Sequence, residues 1–409
     1  MTPSLMGFVR PFTEDDIPEV AELHRKVFRT AAESSPKLRT SYVAYFREIF
    51  LNNPWYEEDL PSLVYQDTDG TIAGFLGVVP RTFSNGGKPI RVALSSQFIV
   101  DPHRRAGLVA VQLIKNFLSG PQDISLADEA GNDARRLWES LGGTVLTLHS
   151  LNWGRFLRPS QFLLSRMTKN KAMAPLVFAS TPFYRFVDAV AARAPGSPFR
   201  LSASRLSAEE MEAETLLASL TKHTRRHTIR PEYDARSLRW LLEILNRRED
   251  HGRFQKVLLR RSDGEVAGWY LYYPNPGGIG EVLQIGATAD SIHDVLDHLF
   301  HHAWRLGAVA LSGKLEPRFL HPPVGEAVPV PPSRSLDARP CPQPRAAGSD
   351  RLRQRVSYAA GRGVVHALSR RHPPARASSR GGGAAPRKHP HRPVEARSSS
   401  FSLPWSGAA

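Results

Sequence analysis

The sequence predicts an α/β protein of the α+β kind, with two units that each hold a mixed, mostly antiparallel sheet flanked by helices. Three observations support this fold class. Asp-Gly and Asn-Gly pairs near residues 70 and 86 separate runs rich in β-branched and aromatic residues, which is a strong hairpin signal. A strand-like run at 92–100 leads through a short turn into an amphipathic, helix-like run. The pattern Asp-Gly-x-[Ile/Val]-Ala-Gly-aromatic occurs at 69–75 and again at 263–269, so the order of elements repeats.

Length and composition indicate how these units are arranged along the chain. The chain has 409 residues, and 41% of them are hydrophobic, which is enough to fill the cores of two or three domains. We expect a first unit at 1–155, a helical connector at 156–198, a second unit at 199–320 and a Pro/Arg-rich tail at 321–409. Such a tail cannot bury enough apolar surface to offset its ordering entropy, so we expect it to be disordered. The switch in composition interrupts the second unit before its last strands, as a tail translated out of its ancestral frame would.

Most of the charge lies in this tail. The chain carries a net charge of +15, and after residue 320 there are 14 Arg and one Lys against four carboxylates, a balance of +11. Because few aromatic residues there could stack on bases, the charge does not favour nucleic acid as a partner. The single cysteine, Cys341, also lies in the tail, which suits a reducing cytoplasm. No signal peptide and no apolar run of membrane-spanning length occurs, so we expect no membrane partner.

The first unit opens with a strand, two helices and a three-stranded meander. A strand at 8–12 precedes the acidic capping residues 13–16 of a first helix, and a second helix is predicted at 40–51. Strands at 62–66, 71–79 and 92–100 follow, joined by the Asp-Gly and Asn-Gly turns. After a crossover helix, a strand at 123–127 must run parallel to the strand at 92–100, whereas the earlier strands are antiparallel. We therefore expect the sheet to splay near Val100 and Ala127.

The turn after the third of these strands predicts an anion site. Asp101-Pro102-His103-Arg104-Arg105-Ala106-Gly107-Leu108 joins the strand directly to a helix, so backbone N–H groups lie at the positive end of the helix dipole. The turn is neither a Walker sequence nor the dinucleotide pattern G-x-G-x-x-G. An ordinary strand-turn-helix with solvated arginines is the alternative interpretation.

This segment resembles the acyl-coenzyme A signature of the GNAT superfamily of N-acetyltransferases, R/Q-x-x-G-x-G/A. Arg104-Arg105-Ala106-Gly107 matches its first half, and Val109 stands where the family has Gly or Ala. The run from Asn132 to Gly143 is similar to the family's N-x-x-A-x-x-L-Y-E-x-L-G-F helix, with Trp138 in place of its Tyr. The resemblance covers about residues 8–155.

The resemblance implies a site for acetyl-CoA or another acyl-CoA, held without a metal. Its expected contacts are Phe98, Ile99, Val100, Arg104, Arg105, Ala106, Gly107, Leu108, Val109 and Asn132. Backbone N–H groups of the strand at 98–100 would hold the oxyanion during acyl transfer to an amine. Asp128 and Glu129 are the candidate bases, with capping and solvation of the following helix as the alternative role. A Trp at 138 cannot supply the phenol that would reprotonate the departing thiolate.

The function implied is acyl transfer from acyl-CoA to a small-molecule or peptide amine. Two alternatives stay open: an aminoacyl-transferring relative with the same duplicated fold, and a catalytically weak acyl-CoA sensor or scaffold. The second unit has Thr288-Ala289-Asp290 where the cradle should be, so we expect it to bind no coenzyme and to shape the acceptor site. His223, His227, His301 and His302 lack acidic or thiol partners at ligand spacing, so we expect solvent-facing histidines and no metal site.

Overall fold

The computed structural model describes residues 7–28, 36–104, 106–167, 174–202, 204–224, 228–248, 252–315 and 363–368. The chain divides into two compact units. The first takes Met1–Phe83 and Pro89–Thr144, the second takes Ser84–Lys88 and Val145–Val364, and the residues beyond are shared between them.

Nine helices occur among the described residues: α1 (Ile17–Phe28), α2 (Pro36–Phe50), α3 (Ala106–Leu118), α4 (Asn132–Ser140), α5 (Pro159–Met167), α6 (Ala174–Ala191), α7 (Ala213–Thr224), α8 (Ala235–Asn246) and α9 (Ile292–Arg305). The strands are β1 (Phe8–Pro11), β2 (Leu63–Gln66), β3 (Ile72–Asn85), β4 (Lys88–Val100), β5 (Ile124–Ala130), β6 (Thr144–Val145), β7 (Asn152–Phe156), β8 (Ser207–Glu210), β9 (Ile229–Pro231), β10 (Gln255–Arg260), β11 (Val266–Tyr273), β12 (Ile279–Ala287), β13 (Ala310–Lys314) and β14 (Gly363–Leu368).

The first sheet has the strand order β1-β2-β3-β4-β5-β14-β6. β1 and β2 pair antiparallel, as do β2 and β3, whereas β4 and β5 pair in parallel. The register of β4 against β5 ends at Ser95 and Ala127, but β4 continues to Val100 and β5 to Ala130. The splay expected from the sequence is therefore confirmed.

An aromatic cluster forms part of the first core. Phe75 of β3 lies 5.0 to 5.3 Å, between ring centroids, from Phe12, Phe46 and Phe50, and all four side chains are buried. Phe46 and Phe50 thus place one face of α2 in this core. Such edge-on ring pairs stabilise a core beyond the area they bury.

The second sheet has the order β7-β13-β12-β11-β10-β8. Its pairs are antiparallel except for β12 with β13, where Ile279 to Val282 run alongside Ala310 to Gly313. Tyr270, Tyr272, Val295 and Leu299 lie in its core between β11 and α9. The second unit is thus also a mixed sheet with a helix packed on it, as the repeated pattern predicts.

Two expectations need correction. The first unit was expected to extend to residue 155, but β7 pairs antiparallel with β13 of the second sheet. His302, expected to face solvent, is half-buried, and its Nδ1 lies 3.1 Å from the hydroxyls of Tyr270 and Tyr272. Both errors have one cause: a strand or helix sequence shows which face is apolar, but not which distant strand supplies its partner.

Several expectations fall outside the described part of the chain. Of the tail at 321–409, only Gly363–Leu368 is described, as a strand placed between β5 and β6. Cys341, Arg105 and His227 lie outside the described residues. Among the helices that are described, none has the length and apolar character needed to cross a membrane.

Candidate functional site

The candidate site lies where β4 separates from β5, and its first feature is a backbone irregularity. Gln97 has a φ of 53°, in the left-handed region that residues other than glycine rarely adopt. It lies two residues beyond Ser95, the last residue of β4 in register with β5. A residue held in this region is strained, and such strain persists where surrounding contacts fix it.

The side chain of Gln97 supplies those contacts. Its Oε1 lies 2.9 Å from Nε2 of His24, and its Nε2 donates to the hydroxyl of Tyr45 at 3.2 Å. His24 is buried among the rings of Phe28 and Tyr42, at centroid distances of 4.7 and 4.9 Å. The irregularity of β4 is therefore fastened to α1 and α2.

The turn that follows β4 is held by Asp101. Its backbone N–H donates to the Ala73 carbonyl, and its carboxylate accepts hydrogen bonds from the N–H of His103 at 2.9 Å and from Nζ of Lys26 at 2.7 Å. Burial raises the pKa of Asp101, but the bonds from Lys26 and His103 outweigh that effect, so the pKa lies below its usual value. Asp101 thus fixes the turn as a charged, paired carboxylate.

Arg104 lies in the turn, but carboxylates already hold its guanidinium. Its Nη1 donates to Asp69 at 2.7 Å and to Asp67 at 3.2 Å. The hydrogen bond from Arg104 lowers the pKa of Asp69 to about 2, and the same bond raises the pKa of Arg104. A phosphate at this turn would have to share Arg104 with the turn before β3 or displace that turn's carboxylates.

The start of α3 is open on one side and tightly packed on the other. A side chain added at Gly107 would meet no atom within 4 Å, so the first turn of the helix presents free space next to its N–H groups. Val109, in contrast, is buried, and its Cγ1 lies 2.6 Å from the place where a Cβ on Gly74 would stand. The bulk of Val109 thus faces β3, and only its backbone N–H could serve the predicted anion site.

The other predicted residues are distributed around this point. Ile99 is buried, whereas Phe98 and Val100 are half-buried, on the part of β4 beyond the register with β5. Asp128 is half-buried and follows directly on Ala127, the last β5 residue in that register. Ala106 and Leu108 lie in the first turn of α3 and are half-buried, and Asn132 is the exposed first residue of α4. The side chain of Glu129 lies outside the described part of the structure.

Trp138 takes no part in this site. It is buried, with its ring edge-on to Phe117 at 5.5 Å between centroids. The position where the family resemblance places a phenol is therefore a core position here. The sequence reasoning missed His24, Tyr45 and Gln97. For His24 and Tyr45 the signal would have been polar groups on otherwise apolar helix faces, and for Gln97 a polar residue within the apolar strand β4.

The second unit repeats the packing of the first but not its charge. A Cβ on Gly268 would stand 2.6 Å from Cγ2 of Val295, as a Cβ on Gly74 would from Val109. The two charges of the ion pair are exchanged. In the second unit the residue after the strand β12 is the acidic Asp290, and it accepts a hydrogen bond from Arg261, which occupies the position equivalent to Asp67. The bonds from Thr288 and Arg261 lower the pKa of Asp290 to about 2, so it is anionic at neutral pH. Among the described residues of the chain, no group of three or more His, Cys, Asp or Glu is arranged to hold a metal.

Searches of the sequence against protein-family models and against curated proteins found no match. Several solved structures are similar in fold. N-myristoyltransferase from Saccharomyces cerevisiae with bound myristoyl-CoA matches over 76% of this chain and 72% of its own, with 12% identity and a TM-score of 0.46.

Two GCN5-related N-acetyltransferases are similar to the same extent. The one from Anabaena variabilis matches 75% of this chain and 65% of its own, with 12% identity and a TM-score of 0.48. The one from Kribbella flavida matches 78% and 66%, with 13% identity and a TM-score of 0.45. This chain thus spans just under two thirds of the length of these two structures.

Proposed function

We propose that the first unit binds an acyl-coenzyme A and transfers its acyl group to an amine. One observation carries the proposal: β4 and β5 separate immediately before the open start of α3. The separation offers a slot for an extended chain, and the first turn of α3 offers N–H groups for a phosphate. A pantetheine arm ending in a pyrophosphate has these two needs.

The chemistry assigned to this site is direct attack. The neutral amine adds to the thioester carbonyl, the oxyanion is stabilised by N–H groups of 98–100, and the intermediate collapses with loss of the coenzyme A thiolate. The amine gives up a proton and the thiolate takes one up. Asp128 is our candidate to accept the amine proton, since it lies just beyond the last paired residue of β5. We place the reaction in the cytoplasm, because the single cysteine of the chain leaves no pair for an internal disulfide.

A charge placed at the start of α3 tests the anion site. Gly107→Asp introduces a carboxylate beside the helix N–H groups, while Gly107→Ala adds a methyl group into the same open space. We expect Gly107→Asp to weaken acetyl-CoA binding at least about tenfold in calorimetry, because like charges repel at close range, and Gly107→Ala to leave it within about twofold. Equal acetyl-CoA affinity of the two variants would show that no phosphate binds at the start of α3.

A second function, that of an acyl-CoA sensor or scaffold, is favoured by the burial of Trp138. The similar family has a tyrosine phenol at this position, and an indole cannot replace it as the acid that protonates the thiolate. Screening amines for release of free thiol separates the two functions. Tight acyl-CoA binding without thiol release on any amine would support the sensor, and release dependent on the amine would support the transferase.

A further inference from the structure

The second half of α6 exposes an apolar face. Phe183, Phe186, Val187 and Val190 are 65%, 68%, 36% and 49% exposed. Their spacing of i, i+3, i+4 and i+7 puts them on one side of the helix. Isolated exposed hydrophobics are ordinary, but a contiguous patch of this kind marks an interaction site. We call these four residues the apolar face of α6.

The direction of this face is fixed by Asp188. Asp188 lies about 150° around the helix from the centre of the apolar face, at 100° per residue. It is 1% exposed, and its carboxylate accepts hydrogen bonds from the N–H groups of Ser160 and Gln161 at 2.9 and 3.1 Å. Those are orphan donors at the start of α5. A buried, doubly bonded carboxylate holds the opposite side of α6 inward, so the phenylalanines are held outward.

A groove with a basic and aromatic rim continues the face. The groove has a volume of about 380 Å³ and is lined by Phe186, Ala189, Val190, Arg193 and Ala194. The guanidinium of Arg193 lies 5.9 Å from the ring of Trp304, and that of Arg158 lies 5.1 Å from the same ring. Both guanidinium groups are thus within about 6 Å of the same indole, the range of a cation–π contact.

The occupant of this face follows from its area and its charge. The four side chains expose on the order of 400 Å², about half of the ~800 Å² per partner that a stable protein interface buries. Asp188 points inward, and the exposed Arg185 lies about 150° around the helix from the centre of the face, so neither borders it. The exposed Arg193, which follows α6, is the charged residue next to the face. The surroundings of the face are therefore cationic, which opposes pairing with a second copy of the same face.

We propose that the apolar face of α6 docks on a lipid surface that carries anionic headgroups. Phe183, Phe186, Val187 and Val190 enter the boundary between headgroups and acyl chains, and the exposed Arg193 lies at the level of the phosphates, as in interfacial helices. The helix lies in the plane of the surface and spans nothing. This departs from the expectation of no membrane partner and is independent of the acyl transfer proposed for the first unit.

Sedimentation of the full chain with vesicles tests the proposal. We expect binding to vesicles of phosphatidylcholine with about 30% phosphatidylserine, weaker binding to phosphatidylcholine alone, and at high salt a fall in the binding to anionic vesicles to the level of phosphatidylcholine alone. Phe183→Ser with Phe186→Ser should reduce binding at least about tenfold, since the apolar area provides most of the affinity. Arg193→Gln should remove the preference for anionic vesicles. Ile279→Ser is the control, because Ile279 is 42% exposed on β12, far along the chain from α6.

Three results would overturn the proposal. One is no sedimentation of the wild-type chain with anionic vesicles. Another is equal loss in the Ile279→Ser control. The third is a dimer, measured by light scattering without lipid, that Phe183→Ser with Phe186→Ser dissociates, since the face would then be a protein interface. The two phenylalanines are exposed, so circular dichroism of the variants should match that of the wild type.

Discussion

Adding a methyl group at Gly74 and removing side-chain volume at Val109 should compensate each other, because the two residues are in contact. A methyl group on Gly74 would stand 2.6 Å from Cγ1 of Val109, 2.8 Å from Cδ1 of Leu113 and 3.4 Å from the Ile99 carbonyl. Contacts under 3 Å force a shift, and overpacking of this kind costs about 1–3 kcal/mol. Loss of glycine entropy in the unfolded chain offsets about 0.4–1 kcal/mol of it. We expect Gly74→Ala to destabilise the first unit by about 1–2 kcal/mol.

The second perturbation removes the obstructing side chain. Val109→Ala leaves a void in a fully buried site and by itself should cost about 2 kcal/mol. In the double variant the new methyl group occupies part of that void, so we expect the combined loss to be smaller than the sum by about 1–2 kcal/mol. The double variant also places a small residue at 109, as in the family pattern, while keeping α3 against β3. Its acetyl-CoA affinity should be close to that of the wild type.

Urea unfolding measured by circular dichroism gives these free energies. Gly107→Ala is the matched control, because a Cβ there meets nothing within 4 Å, and it should be neutral or stabilising by up to about 1 kcal/mol. A second cycle in the other unit sharpens the test. A Cβ on Gly268 meets the backbone carbonyl of Gly286 at 2.5 Å as well as Val295, so Val295→Ala should fail to rescue Gly268→Ala. Additive losses in the Gly74 and Val109 cycle would refute the reasoning.

Three further predictions concern charge and proton transfer. Burial, with smaller effects of His302 and His301, lowers the pKa of His298 to about 4, so protons bind the unfolded chain first and stability should fall as pH drops from 6.5 towards 4. A pKa shift of this size corresponds to a loss of at most about 3 kcal/mol in the free energy of unfolding, and we expect about 1–2 kcal/mol because the ring is partly exposed. His298→Gln should make the free energy of unfolding depend less on pH across that range. Arg104→Ala with Arg105→Ala should weaken acetyl-CoA binding at least about tenfold in calorimetry, because charge-assisted hydrogen bonds to phosphate are lost. Asp69→Asn, which leaves Arg104 with Asp67 as its charged partner, should tighten binding; the opposite order would exclude Arg104 from the anion site. Trp138→Tyr should not raise turnover in a thiol-release assay, since residue 138 packs against Phe117, and a clear gain would mean that the phenol reaches the thioester.

The sequence predicted the parts of the site that depend on local order. The order strand, turn and helix from Val92 to Phe117 and the splay of β4 from β5 follow from hydrophobic period and turn chemistry, although α3 begins at Ala106, inside the segment predicted as the turn. These features are set by residues close together in the chain. The sequence also showed that Val109 is larger than the family pattern requires.

Contacts across long sequence separations could not be predicted in this way. His24 and Gln97 are 73 residues apart, and Asp69 and Arg104 are 35 apart. Nothing in either local pattern indicates the partner, because both members read as an ordinary polar residue. The strand β7 shows the same limit, since alternation in Asn152–Phe156 is equally compatible with either sheet. The sequence analysis considered a phosphate or solvent as the partner of Arg104. In the structure, Arg104 forms an ion pair with the turn before β3.

The two units share the glycine–valine contact that positions the helix, but they differ in the charges that would bind a ligand. Both units place a glycine on the strand against a valine on the helix, Gly74 with Val109 and Gly268 with Val295. The charges after the preceding strand differ: Arg104 bonds carboxylates in the first unit, and Asp290 bonds Arg261 in the second. Because the packing is the same where the charge is reversed, the helix position does not depend on a basic turn. A cationic turn at Arg104 is therefore not required by the fold, and this asymmetry is our reason for proposing acyl-CoA binding in the first unit and not in the second.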